Sequence, residues 1–178
     1  QTPFPKDARL RFFNLFAYTG GATLAAAAAG ASVTHVDASK GMVTWAKENA
    51  ISSGLKDAPI RWLVDDCVKF VEREIRRGNI MMPLSWTAVY GRGPKGEIWK
   101  IEDAIHPLVK LCVQLLSDKP LFFLINSYTT GLAPAVLSYM IGVEIVPRFG
   151  GTVSAEEVGL PVTQTGLVLL RASGRWEA

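Results

Sequence analysis

The sequence predicts an α/β protein whose mostly parallel strands form a doubly wound sheet with helices on both faces. Three observations predict it. Apolar runs bounded by turn residues alternate with helical patterns along the whole chain. The clearest runs, "LRFFNLF" and "PLFFLINSY", look like buried strands. Glycines and carboxylates follow directly on successive strands, at the edge where such sheets bind ligands.

Taken in order, "LRFFNLF" (10–16) is the first strand and "GATLAAAAAG" (21–30) a small-residue helix ended by Gly30. "SVTHVD" (32–37) is the second strand. Ser39 is placed to N-cap "KGMVTWAKENAISSG", in which Met42, Val43, Trp45, Ala46 and Ala50 are spaced for one face and Gly54 is the stop. "IRWLVDD" reads as a third strand. "CVKFVEREIRRG" reads as a helix with Val68, Val71 and Ile75 inward and its basic end at the C-terminus, where the helix dipole favours it. "MMPLSW" is a weaker strand, because Pro83 removes a ladder donor. "IEDAIHPLVKLCVQLLS" is a helix that Pro107 interrupts or kinks. "PLFFLINSY" is the next strand, "APAVLSYMIG" another helix, and short strands are expected around "VEIVPRF" and "TGLVLLRA".

The chain of 178 residues, 49% of them hydrophobic, is large enough for one core and short for two, so one domain over residues 1–178 is expected. Apolar runs stay well below the roughly 18 residues that span a bilayer, and no segment is polar enough for disorder, which predicts a soluble globular protein without membrane partners. The start at Gln1, without methionine or leader, reads as a fragment lacking an N-terminal domain. Cys67 and Cys112 share no metal-ligand spacing with each other or with His35 and His106, so reduced buried thiols and no metal are expected. A net charge of +3 suits an anionic partner without establishing one.

The first strand runs into "NLFAYTGGATLAA", where Gly20 and Gly21 allow a sharp turn and a close backbone approach to a ligand. Asp37 follows the second strand, 17 residues beyond Gly20, about where a carboxylate reaches the hydroxyls of a ribose. Asp65 and Asp66 follow the third, where an acid can accept from an adenine amino group or simply start a helix. An adenosine-containing ligand explains all three best. A nicotinamide dinucleotide wants Gly-x-Gly-x-x-Gly against a pyrophosphate, and "YTGGAT" lacks the spaced second and third glycines. S-adenosylmethionine has no phosphate and needs only the close approach and the ribose acid. The pattern favours the methyl donor.

The stretch "NLFAYTGGATLAAAAAGASVTHVDASKGMVTWAKENA", continued by "IRWLVDDCVKFVERE", "GRGPKGEIWKIED" and "PLFFLINSYTTG", resembles the class I S-adenosylmethionine-dependent methyltransferases, in the branch containing bacterial large-subunit ribosomal RNA methyltransferases. The resemblance implies a doubly wound, mostly parallel seven-stranded Rossmann-like sheet whose last strand is antiparallel, with the tail from Val143 supplying the closing pair. It also implies that Phe16, Tyr18 and Gly20 line the methionine side, Asp37 holds the ribose, Ala38 and Ser39 flank the adenine, and Asp66 contacts its amino group. The family's fourth strand ends in Asp-Pro-Pro-x-Phe or its asparagine variant. Here Trp86-Thr87-Ala88-Val89-Tyr90 stands at that place and only the aromatic survives, so either the alignment slips or cofactor binding is separated from the usual catalysis.

In the loop "GRGPKGE" after Tyr90, Arg92 and Lys95 are placed to contact phosphates while Tyr90 stacks on a flipped base; the bland alternative is a charged surface turn. Asn126, with Ser127, is a candidate for orienting the substrate or for capping the next helix. Trp45, Trp62 and Trp99 read as packing. Methylation of cytosine carbon-5 needs a cysteine nucleophile, and "INSYTTG" offers none, with Cys67 and Cys112 expected inside helices away from that edge; a nitrogen or oxygen target fits better. The expected function is a cytoplasmic methyltransferase acting on RNA, with ribosomal RNA the substrate by resemblance. The alternative is a catalytically impaired S-adenosylmethionine-binding module that binds RNA or a protein partner.

Overall fold

A computed structural model describes residues 10–78, 84–88, 91–92, 98–99, 101–128, 132–166 and 168–178. In chain order the elements are β1 (Arg11–Leu15), α1 (Gly21–Ala28), β2 (Ser32–Asp37), α2 (Lys40–Ser52), β3 (Ile60–Val64), α3 (Cys67–Arg76), β4 (Leu84–Ala88), β5 (Gly91–Arg92), β6 (Ile98–Trp99), α4 (Ile101–Val113), β7 (Phe122–Ser127), α5 (Pro134–Phe149), β8 (Thr152–Pro161) and β9 (Val168–Glu177). β5 and β6 pair only with each other; the remaining seven strands form one sheet in the order β3-β2-β1-β4-β7-β9-β8. β3, β2, β1, β4 and β7 are mutually parallel, while β9 runs antiparallel to both β7 and β8. Strand order reverses between β1 and β4, and in open sheets of this kind that reversal opens a crevice at the carboxyl ends of the strands.

Four of the five residues of β1 are buried, because helices cover both faces. Its neighbours sort to opposite sides: Phe13 and Leu15 join a core with Phe70, Val109, Phe123, Leu137 and Trp176 under α3, α4 and α5, whereas Phe12 joins Ala27, Ala31 and Val33 under α1. The fully buried Trp176 satisfies its indole by donating to the Gly150 carbonyl at 2.8 Å.

Local chemistry sets the boundaries. Ser39 caps α2, its hydroxyl accepting from Met42 N at 3.3 Å, and Asp66 caps α3, accepting from Lys69 N at 3.0 Å. Gly30 and Gly54, at φ 92° and 72°, take the left-handed conformation just past α1 and α2.

Three expectations are corrected. "VEIVPRF" is no strand but the second half of α5, since Leu137, Ile141 and Ile145 recur every fourth residue as one buried helical stripe. Pro147 falls in the last turn of this helix. α4 runs from Ile101 to Val113 with Pro107 inside it, so the proline does not interrupt the helix. On α2, Val43, Ala46 and Ala50 face inward, but Trp45 is half exposed because it lies off their stripe.

Candidate functional site

The segment joining β1 to α1 carries strain. Phe16 and Tyr18 sit at φ 50° and 51°, the left-handed region that non-glycine residues avoid at about 1–2 kcal/mol each, and Gly20 follows at φ 90°. Surrounding bonds hold it there. Phe16 N donates to Cys67 Sγ at 3.3 Å, Ala17 N to the Val36 carbonyl at 3.1 Å, Tyr18 N to Asp37 Oδ2 at 2.9 Å and Gly20 N to the Ala17 carbonyl at 3.0 Å. Asn49, reaching from α2, donates its amide to the Thr19 carbonyl at 2.9 Å. A side chain at Gly20 would also be crowded: a Cβ there would stand 3.1 Å from Ala46 Cβ and 3.2 Å from Leu24 Cδ1.

Asp37 ends β2 and faces this turn. Its Oδ2 accepts from Tyr18 N and its Oδ1 from Ser39 N at 2.8 Å, so one carboxylate fastens the β1–α1 turn to the start of α2. Its backbone carbonyl accepts from Asp65 N at 3.0 Å, which draws the end of β3 to the same edge. There Asp65 pairs with Arg73 and accepts from Asp66 N at 2.9 Å, while Asp66 caps α3 through Oδ1.

Phe16, Tyr18, Gly20, Asp37, Ala38, Ser39 and Asp66 thus gather along the carboxyl edge of β1, β2 and β3. Asn126 lies on the same edge in β7, opposite Thr87 of β4 and Ser173 of β9. Trp86 pairs with Leu15 of β1 and Ala88 with Ser127, which puts residues 86–88 at the strand-order reversal. The β5 backbone places Arg92 opposite Ile98 of β6. Tyr90 and Lys95 lie outside the described residues.

Cys67 is corrected in position. Rather than lying away from the edge, it is the first residue of α3, buried under the turn, accepting from Phe16 N and donating to the Val36 carbonyl at 3.8 Å. Burial raises its thiol pKa well above the ordinary value, with the charges of Asp37 and Asp66 adding to the shift. Such a thiol stays protonated, which disqualifies it as a nucleophile.

Other contacts escape sequence reasoning because they depend on tertiary approach. β9 brings the Arg171 guanidinium to 4.0 Å from the centre of the Tyr128 ring, one residue past the end of β7. Nothing local in "LLRASG" points there. Asn49 left a faint signal as an amide near the end of a helix whose buried face is otherwise apolar.

No family model matches the chain. A ribosomal RNA large subunit methyltransferase K/L of Shewanella frigidimarina is 45% identical over 60 residues, 33% of this chain and 8% of that protein. The crystal structure of an S-adenosylmethionine-dependent methyltransferase from Agrobacterium tumefaciens matches with a TM-score of 0.88 at 38% identity, over 96% of this chain and 57% of that one. Magnesium protoporphyrin IX methyltransferase from Synechocystis PCC 6803, solved with bound S-adenosylmethionine, matches with a TM-score of 0.63 at 13% identity, over 96% of this chain and 71% of that one, and shows the shared fold alone. Fold and sequence place the chain among the class I S-adenosylmethionine-dependent methyltransferases. The chain spans little more than half of the Agrobacterium protein, and its match to the large-subunit ribosomal RNA methyltransferases is confined to a third of its own length.

Proposed function

We propose that the chain binds S-adenosyl-L-methionine across the carboxyl ends of β1, β2 and β3 and transfers its methyl group to a base of RNA, with ribosomal RNA the substrate that the partial sequence match favours. Residues 1–178 then act as a single cofactor-binding domain in the cytoplasm. Among the described residues no helix is long and apolar enough to cross a membrane.

The observation that carries this reading is the clasped carboxylate of Asp37. A carboxylate offers about four lone-pair positions. The amides of Tyr18 and Ser39 use one on each oxygen and fix its orientation. One acceptor position per oxygen remains for a pair of donors, which is the chemistry of a ribose diol. The donor set fits.

Phe16, Tyr18 and Gly20 line the methionine side in this reading, with Gly20 bringing bare backbone close, and Ala38 and Ser39 flank the adenine. Asp66, whose Oδ1 is committed to capping α3, meets the adenine amino group through its other oxygen. The bound cofactor supplies an electrophilic methyl on a positively charged sulfur. The residues around it supply position, since holding a nucleophile close and collinear accounts for much of the acceleration in such displacements. Asn126 orients the target atom, Tyr90 stacks on the target base, and Arg92 and Lys95 hold backbone phosphates. The Tyr128–Arg171 pair supports a substrate role for this end of the sheet, because an exposed aromatic ring under a guanidinium suits a base and its phosphate. A nitrogen or oxygen target accords with the inert Cys67 thiol.

Labelled methyl transfer to a total RNA pool tests the activity. Incorporation concentrated in large-subunit ribosomal RNA is expected. Absence of label from every RNA fraction, with cofactor binding intact, would exclude the substrate class.

A further inference from the structure

Three polar side chains are buried in the layer between the sheet and α1. Asn14, Thr23 and His35 are almost wholly inaccessible, although the same layer is otherwise lined by Phe12, Ala27 and Val33. Thr23 Oγ1 lies 2.9 Å from Asn14 Nδ2 and 2.9 Å from His35 Nδ1. The direction of the first bond follows from chemistry. An amide nitrogen only donates, so the hydroxyl oxygen accepts from Asn14, while the direction of its bond with His35 Nδ1 follows the imidazole tautomer. Burial, helped by the charge of Lys47, lowers the His35 pKa to about 4, which keeps it neutral, and the Trp62 ring packs against it at 4.8 Å between centroids.

Apolar residues would fill this layer without the cost of burying polar groups. What they would not supply is direction. α1 has little else to fix it: its buried residues are Thr23 and Ala27, the rest of the helix is mostly alanine, and its Gly20 cap makes no side-chain bond. Small side chains interdigitate poorly and leave a helix free to slide. The three polar residues also stand at the roots of the site. Asn14 precedes Phe16 by two positions, Thr23 follows Gly20 by three, His35 precedes Asp37 by two, and Asn14 and His35 face each other in the β1–β2 ladder.

We infer that Asn14, Thr23 and His35 are positioning residues for the cofactor: the Thr23 hydroxyl, held by both strands, sets α1 and the strained Phe16–Gly20 turn at the distance from Asp37 that the adenosyl ligand needs. The inference rests on the proposed S-adenosylmethionine site. None of the three touches the ligand; each acts through the turn.

The test is calorimetric titration of S-adenosylmethionine into the wild-type chain and into Thr23→Val, Thr23→Ser and Thr23→Ala, each well below its melting midpoint. Thr23→Val keeps the shape and removes the hydroxyl, and is expected to weaken binding about tenfold, the scale of a lost buried hydrogen bond. Thr23→Ser keeps the hydroxyl and is expected to bind within about twofold of wild type. Thr23→Ala, a good helix former, gives the same comparison should the valine variant not fold. Wild-type affinity in both Thr23→Val and Thr23→Ala, with only their melting midpoints lowered, would make the network merely structural and overturn the inference. Absence of binding by the wild-type chain would instead reject the site on which it rests.

Discussion

Asp37 serves two structural partners with one carboxylate, and its importance was legible because position after a strand is a local fact of sequence. The same held for Gly20 and for Ser39 as a helix cap. The Asn14–Thr23–His35 network was not legible, since it depends on strand register and on which face of an alanine-rich helix turns inward. His35 gives this scale a measurable signature. Its folded pKa of about 4 lies below the unfolded value of 6.5, so the unfolded chain binds the proton more tightly between these values. The stabilisation from keeping the imidazole neutral is therefore complete above about pH 6.5. It is lost as pH falls toward 4, by about 3 kcal/mol in all. Chemical denaturation across that range should show stability falling with acidity in the wild-type chain. His35→Leu should lack that part of the slope, and equal slopes in both would assign the acid sensitivity to other groups.

At the scale of elements, the alternation of strands and helices was readable because each type announces itself by period. Errors arose where period and composition disagreed. "VEIVPRF" has the β-branched residues and proline of an edge strand, yet the spacing of Leu137, Ile141 and Ile145 prevails, because burying that stripe against β8 and β9 outweighs local preference. The contact is tight. A Cβ on Gly174 of β9 would come within 2.8 Å of Leu137 Cβ and 2.9 Å of Ile141 Cδ1, and the first of these is fixed to the helix backbone. Gly174→Ala should therefore force α5 away from the sheet and destabilise by about 1–3 kcal/mol, lowering the melting midpoint by several degrees. An unchanged midpoint would show that α5 shifts without cost.

Across the whole molecule, strand order reverses between β1 and β4, where sheets of this kind open a ligand crevice, and the parallel ladder brings the carboxyl ends of five strands to one edge. The part of the edge at β1, β2 and β3, proposed to hold the cofactor, was legible as an edge because its residues follow three consecutive strands. The part at β4 and β7, proposed for the substrate, was less so. Trp86-Thr87-Ala88 departs from the family pattern at the reversal, and Arg171 arrives from a strand more than 40 residues after Tyr128 in sequence, with no local trace. Structural likeness shows the fold of a class I methyltransferase, and the proposed RNA substrate would meet the part of the edge at β4 and β7.

The central claim is that the Phe16–Gly20 turn and the Asp37 carboxylate together hold an adenosyl ligand. Calorimetric titration of S-adenosyl-L-methionine into the wild-type chain and into Asp37→Ala tests it most directly. A charge-assisted hydrogen bond contributes about 1.5–3 kcal/mol, so saturable binding by the wild-type chain and a loss of about 10–100-fold in the variant are expected. Equal affinity in the two chains, or no heat of binding in either, would contradict the account.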